Sequence, residues 1–207
     1  MISTLQYISQ APHFENIQAA CEAGARWIQL RIKEGPKDMI MSEALAVKKI
    51  CAAYGAQLII NDHPLIAAAV GADGVHVGKE DMSVALARKI AGDKMIVGGT
   101  ANTLEDILQH VEDGASYVGL GPYRFTTTKQ KLSPILGLTG ISSIMQELKA
   151  RDIDIPVIAI GGIELADLPE ILATGIHGIA VSSLITKATD KRATVFSITH
   201  QFESCNH

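Results

Sequence analysis

The chain has 207 residues, with 18 Lys and Arg against 22 Asp and Glu for a net charge of −4, and it is 47% hydrophobic but only 4% aromatic. That excludes a disordered chain, and its small aliphatic residues suit close helix–sheet packing better than an aromatic-rich β-sandwich. The charge balance lacks the basic excess of a nucleic-acid surface, although a pocket for a small anion needs only two or three placed cations. Three cysteines, Cys21, Cys51 and Cys205, are odd in number and show no CxxC spacing, as expected of thiols in a reducing compartment. No run approaches the ~18 apolar residues of a membrane span. The start, Met1 to Gln6, lacks a basic, long apolar leader, so the expected location is cytoplasmic.

In chain order, eight short aliphatic runs read as strands: Leu5–Ile8, Trp27–Arg31, Gln57–Asn61, Gly74–Val77, Met95–Gly98, Tyr117–Leu120, Val157–Ile160 and Gly178–Val181. Amphipathic stretches such as Asp38–Tyr54, Ser83–Ala91, Leu104–Asp113 and Gly140–Arg151 lie between them. The joints around Gly24, Gly71, Gly114 and Gly175 repeat one phrase, a glycine that stops a helix just before a strand. Eight repeats of about 26 residues imply parallel strands with right-handed crossovers. With no linker or composition break, the expected fold is a single (β/α)8 barrel over residues 1–207, rather than an open doubly wound sheet. The residues leave open whether Lys191–His207 docks as a final helix.

In such a barrel the chemistry belongs to the carboxyl ends of the strands. After the second strand, alternation puts Gln29, Arg31 and Lys33 on one face, aimed at the mouth of the lumen. A guanidinium fork beside an ammonium suits phosphate oxygens; an ion-pair ladder inside the barrel is the alternative. The third strand ends in Asn61-Asp62-His63-Pro64, where Asp62 is either a functional carboxylate or a helix cap. Asp81 follows the fourth strand, and two aspartates from neighbouring strand tops form a plausible Mg²⁺ site. No HxxxH or CxxC spacing supports zinc, and His76 is most simply a lumen imidazole. Beyond the fifth strand Thr103 reads as a helix cap, leaving Thr100 as the freer hydroxyl. The sixth strand opens a long cationic, hydroxyl-rich loop with Thr126, Thr128 and Lys129, of the kind that closes over an anionic substrate. Gly161-Gly162 and Ser182-Ser183 follow the last two strands, where barrels often bind a phosphate. Two anion sites emerge, one suited to a magnesium-bridged pyrophosphate and one to a phosphomonoester, as in an enzyme joining two phosphorylated small molecules.

Taken together, Gln29-Leu30-Arg31-x-Lys33, Asn61-Asp62, Gly74-Val75-His76-x-Gly78-x-x-Asp81, Gly121-Pro122-x-x-x-Thr126-x-Thr128-Lys129, Ala159-Ile160-Gly161-Gly162-Ile163 and Gly178-x-Ala180-Val181-Ser182-Ser183 resemble the thiamine-phosphate synthase family over about residues 5–185. The resemblance implies a transferase that couples hydroxymethylpyrimidine diphosphate to thiazole phosphate, releasing pyrophosphate. Carried over by position, Gln29, Arg31, Lys33, Asn61 and Lys129 would bind the diphosphate, and Asp62 and Asp81 would hold Mg²⁺. Thr100 would face the pyrimidine; Thr126, Thr128, Gly162, Ser182 and Ser183 would bind the thiazole phosphate. Arg31, Lys33 and Lys129 would act catalytically on the leaving group. The sequence departs from the family's usual residues at Lys79 (glutamine), Thr100 (serine) and Asn102 (histidine). A thiazole tautomerase-like paralogue would need only the phosphomonoester half of this set, and a non-catalytic phosphoester-binding barrel would bind without Mg²⁺-dependent chemistry. The expected partners are small molecules, with no nucleic acid and no membrane; homo-oligomerisation is left open.

Overall fold

A computed structural model describes residues 2–125 and 134–205. The elements run β1 (Leu5–Ile8), α1 (His13–Glu22), β2 (Trp27–Leu30), α2 (Lys37–Ala53), β3 (Gln57–Asn61), α3 (Pro64–Val70), β4 (Gly74–Val77), α4 (Val84–Ala91), β5 (Ile96–Ala101) and α5 (Leu104–Glu112). They continue with β6 (Tyr117–Leu120), α6 (Gly137–Ala150), β7 (Val157–Ile160), a 3-10 turn at Leu165–Asp167, α7 (Leu168–Ala173), β8 (Gly178–Val181), α8 (Ser183–Thr186) and α9 (Lys191–Cys205). The strands pair in chain order, all parallel, and β8 returns to β1 through Leu5↔Ile179, Gln6↔Ala180 and Tyr7↔Val181, closing the barrel. Among the described residues no helix is long and apolar enough to cross a membrane.

The helix-stop glycines behave as their sequence phrase requires. Gly24, Gly71, Gly114 and Gly175 all have positive φ, with Gly71 in the left-handed region at φ 64°, ψ 41°. The last segment docks as α9, burying Val195, Ile198 and Phe202.

Period-two alternation divides each strand between two environments. Outward residues such as Val75, Val97, Val118 and Ile179 pack with the helices in one large apolar core. Inward residues Ile8, Trp27, Ile59, Tyr117, Ile158 and Ala180 form a separate cluster that plugs the lumen. Trp27 meets Tyr117 edge to face, with ring centroids 4.9 Å apart. Towards the carboxyl ends the lumen turns polar, with buried Gln6, Gln29, Asn61 and His76.

One boundary differs in a way that matters. The fifth strand was expected to end at Gly98, but β5 continues to Ala101 and includes Thr100. Gly98 and Gly99 serve close packing there instead of a turn. A methyl group at Gly98 would strike the Tyr117 ring and His76, and one at Gly99 would press on Val84 and His110. Similarly, β2 stops at Leu30, just before Arg31, and α6 starts at Gly137 instead of Gly140.

Candidate active site

At the mouth of the barrel, the ends of β2, β3 and β4 bring Lys33, Asp62 and Asp81 together. Lys33 Nζ donates to Asp62 Oδ2 at 2.6 Å and to Asp81 Oδ2 at 3.3 Å. Asp62 also accepts from Asn61 Nδ2 at 2.5 Å and from the Gly78 amide at 2.9 Å. It holds φ 60°, a left-handed conformation that Asp tolerates better than most residues. Helix capping does not account for Asp62, because the residue preceding α3 is His63 and α3 has no side-chain cap. The turn after β4 is equally tight, since a Cβ at Gly78 would overlap the Asp81 carboxylate. Burial alone lowers the Lys33 pKa, but the two carboxylates overcome this and hold it above the ordinary ammonium value.

Arg31 is placed differently. Its backbone amide donates to Ser9 Oγ at 3.2 Å, while its guanidinium makes no hydrogen bond or ion pair to a described residue. Burial lowers its pKa, and Asp62 and Asp81 offset this only in part. Arg31 lines a cavity of about 390 Å³ with Ser9, Gln10, His13, Ser183 and Lys187. A larger groove of about 460 Å³ between α1 and α2 is mostly apolar and lies away from the strand ends.

On the far side of the mouth, Ser182 Oγ donates to the Ile8 carbonyl at 2.6 Å, tying the end of β8 to β1. Ser183 Oγ accepts from Gln10 Nε2 at 3.0 Å. Gly162 has φ 65° and lies under the loop that follows β6, close to Arg124 and Phe125. Arg124 pins that loop, donating to the Gly162 carbonyl at 2.8 Å and to both carboxylate oxygens of Asp167, at 3.0 and 2.8 Å. Thr126, Thr128 and Lys129, the other residues expected to contact phosphate, lie outside the described residues.

Inside the mouth, Gln29 is buried and its amide turns to Gln6 at 3.4 Å. Thr100 Oγ1 lies 3.0 Å from His76 Nε2, and His76 Nδ1 lies 3.0 Å from Tyr117 Oη. Sequence reasoning identified His76 as a lumen imidazole but missed Tyr117, Gln6 and Arg124. Their partners are distant in the chain, and no local spacing announces them.

Two of the departures from the family's usual residues, Lys79 and Asn102, find partners. Lys79 donates to Asp106 Oδ2 at 2.7 Å, bracing the β4 turn against the start of α5. Asn102 Nδ2 donates to the Gly121 carbonyl, linking the ends of β5 and β6. Asp106 further accepts from the Asn102 and Thr103 amides and completes a capping box with Thr103. Burial raises the Asp106 pKa, but Lys79 and these amides more than compensate, leaving it below the usual carboxylate value. A depressed pKa stabilises the fold above the unfolded-state value and loses that contribution as pH falls through the folded one. Asp106→Asn is therefore expected to cost about 1 kcal/mol at pH 7. The gap from the unchanged protein should narrow between roughly pH 5 and pH 3 in urea-unfolding midpoints.

The geometry first defines a class, a closed (β/α)8 barrel whose carboxyl-end mouth joins paired carboxylates to cations and hydroxyls. Such a mouth can hold a small polyanion and a hard cation together. The sequence profile described as thiamine monophosphate synthase matches residues 1–185, and the chain belongs to that family. It is 49% identical over 192 residues to the thiamine-phosphate synthase of Flavobacterium psychrophilum, covering 91% of this chain and 93% of that protein. The Bacteroides thetaiotaomicron thiamine-phosphate synthase is 46% identical over 194 residues, covering 92% and 93%. Thiamine phosphate pyrophosphorylase from Pyrococcus furiosus superposes with a TM-score of 0.86 at 32% identity, covering 99% of this chain and 97% of that one.

Proposed function

We propose that the chain is a thiamine-phosphate synthase, a transferase that couples hydroxymethylpyrimidine diphosphate to thiazole phosphate and releases pyrophosphate. The observation that carries this reading is the convergence of Asp62 and Asp81 on one cationic position beside Arg31, with Lys33 Nζ at that position. A tautomerase acting on the phosphomonoester alone has no use for that half of the mouth.

The residues present fit a magnesium ion. The Lys33 ammonium stands in for a cation between the two carboxylates, whose oxygens lie 2.6 and 3.3 Å from it. Among the described residues no group of three or more His, Cys, Asp or Glu gathers as a metal cluster. Two carboxylates completed by substrate phosphate oxygens and water is a common magnesium arrangement. When bound, the ion would neutralise charge on the departing pyrophosphate.

In this reading Arg31, Lys33 and Lys129 are the catalytic cations, drawing charge from the leaving group as the C–O bond to the diphosphate breaks. Lys33 would exchange its two carboxylates for phosphate oxygens. Gln29 and Asn61 orient the diphosphate. The electron pair of the broken bond leaves with pyrophosphate, and the thiazole nitrogen supplies the pair for the new C–N bond to the pyrimidine-methyl cation. No protein nucleophile is needed; the barrel holds the two rings face to face. Thr126, Thr128, Gly162, Ser182 and Ser183 bind the thiazole phosphate, and Thr100 meets the pyrimidine. The whole chain, residues 1–207, acts as one catalytic domain in the cytoplasm.

Incubation with both phosphorylated substrates, each alone, and both without Mg²⁺ tests the reading by chromatography. Thiamine phosphate should form only from the complete mixture. Isomerisation of the thiazole alone would identify a tautomerase, and binding without any product would leave only a phosphoester-binding barrel.

A further inference from the structure

Among the described residues, Gln29, Gln6, Tyr117, His76 and Thr100 join in a hydrogen-bonded chain leading to the mouth. Gln29 Nε2 donates to Gln6 Oε1 at 3.4 Å, and Gln6 Nε2 donates to Tyr117 Oη at 3.2 Å. Burial pushes the Tyr117 phenol well above its ordinary value, so it keeps its proton. With Gln6 donating to that oxygen, we assign the phenol proton to His76 Nδ1, 3.0 Å away. A ring nitrogen that accepts leaves the other nitrogen to donate, and His76 Nε2 lies 3.0 Å from Thr100 Oγ1. In this assignment Thr100 Oγ1 receives a hydrogen bond from His76 Nε2 and keeps its own proton for a ligand at the mouth. The Thr100 backbone is held as well, because its carbonyl accepts from His110 Nε2 at 2.9 Å.

The strands leave space for this chain. A Cβ at Gly98 would fall 2.7 Å from His76 Nδ1, and one at Gly119 would fall 3.3 Å from His76 Cε1. Two adjacent strands give up side chains where the imidazole lies.

We propose that His76 and Tyr117 are positioning residues that orient the Thr100 hydroxyl as a hydrogen-bond donor to an unprotonated ring nitrogen of the pyrimidine substrate. The inference rests on the synthase reading, which places the pyrimidine at Thr100. Specificity for the ring then depends on a proton direction set at Gln6 and handed on through two buried rings, since an analogue with N–H at that position would meet a donor with a donor.

The test is a double-mutant cycle on the full chain with steady-state kinetics for each substrate. Thr100→Val and His76→Leu are each expected to lower kcat/KM for the pyrimidine diphosphate about tenfold while the thiazole phosphate KM stays within about twofold. The double variant should lose no more than Thr100→Val alone, and His76→Gln, which keeps an amide donor, should recover most of the loss. Tyr117→Phe preserves the ring packing and should show the same substrate bias, covering the case in which His76→Leu fails to fold. Nitrogen-15 NMR of labelled histidine should find a proton on His76 Nε2 and none on Nδ1. Additive losses, equal effects on both substrates, or a proton on Nδ1 would overturn the proposal. Absence of thiamine phosphate from the unchanged protein would instead defeat the synthase reading, with the NMR result still reporting the proton's position.

Discussion

Asp62→Asn should lower kcat by about 10²- to 10³-fold while leaving the fold intact, the scale expected when one preorganised electrostatic partner of the transition state is removed. The substitution is chosen for shape. Asp62 sits at φ 60°, where Asn is well tolerated and Ala would add strain of roughly 1 kcal/mol. An amide oxygen can still accept from the Gly78 amide, as Asp62 Oδ1 does at 2.9 Å. What disappears is the negative charge facing Lys33 together with the Oδ2 acceptor shared by Lys33 and Asn61, while the turn's bond to the Gly78 amide is kept. Circular dichroism should show an unchanged spectrum, and the half-exposed Lys33 pair predicts a stability change within about 1 kcal/mol. Turnover within twofold of the unchanged protein would remove Asp62 from the machinery.

Arg31→Met should separate stability from activity in opposite directions. The Arg31 guanidinium is half-buried, has no hydrogen-bond partner among the described residues, and has its pKa lowered by burial. Burial costs this cation solvation that Asp62 and Asp81 restore only in part, and the proposed function assigns it the diphosphate as partner. Methionine keeps much of the aliphatic stem and removes the unpaired charge. The expected gain is roughly 1 kcal/mol, a rise in Tm of about 2–4 °C. The same variant should lose about 10²-fold in kcat/KM for the diphosphate substrate. Stability given up at a working residue is the usual trade between the two properties. A fall in both quantities on one preparation would make Arg31 a structural residue instead.

The architecture was legible because its signals are local. The helix-stop glycines and the period-two runs depend on neighbours in the chain, and they correctly locate all eight strands. The same alternation put Arg31 and Lys33 at the mouth. Asp62 and Asp81 were legible as a pair because consecutive parallel strands are spatial neighbours, so residues just past their ends must be close. The end of β5 was misread because Gly98-Gly99 looks like a turn in sequence and becomes close packing only when the Tyr117 and His76 rings occupy the lumen. Those rings meet across 41 positions, and Gln6 meets Tyr117 across 111, beyond the reach of any local pattern. Lys79 pairs with Asp106 for a reason equally invisible in sequence, the closeness of the β4 turn to the start of α5. Nor could sequence show that Lys33 rests on the carboxylates proposed for magnesium, since its expected partner was the substrate.

Phosphorus-31 NMR of the protein with both substrates and Mg²⁺ tests the central claim most directly. The two diphosphate resonances of the pyrimidine should convert, mole for mole with thiamine phosphate, into the single resonance of free pyrophosphate. The phosphomonoester should stay intact, and a chelator added midway should stop the conversion. Orthophosphate release, or an unchanged spectrum while the thiazole isomerises, would contradict the assignment of a synthase.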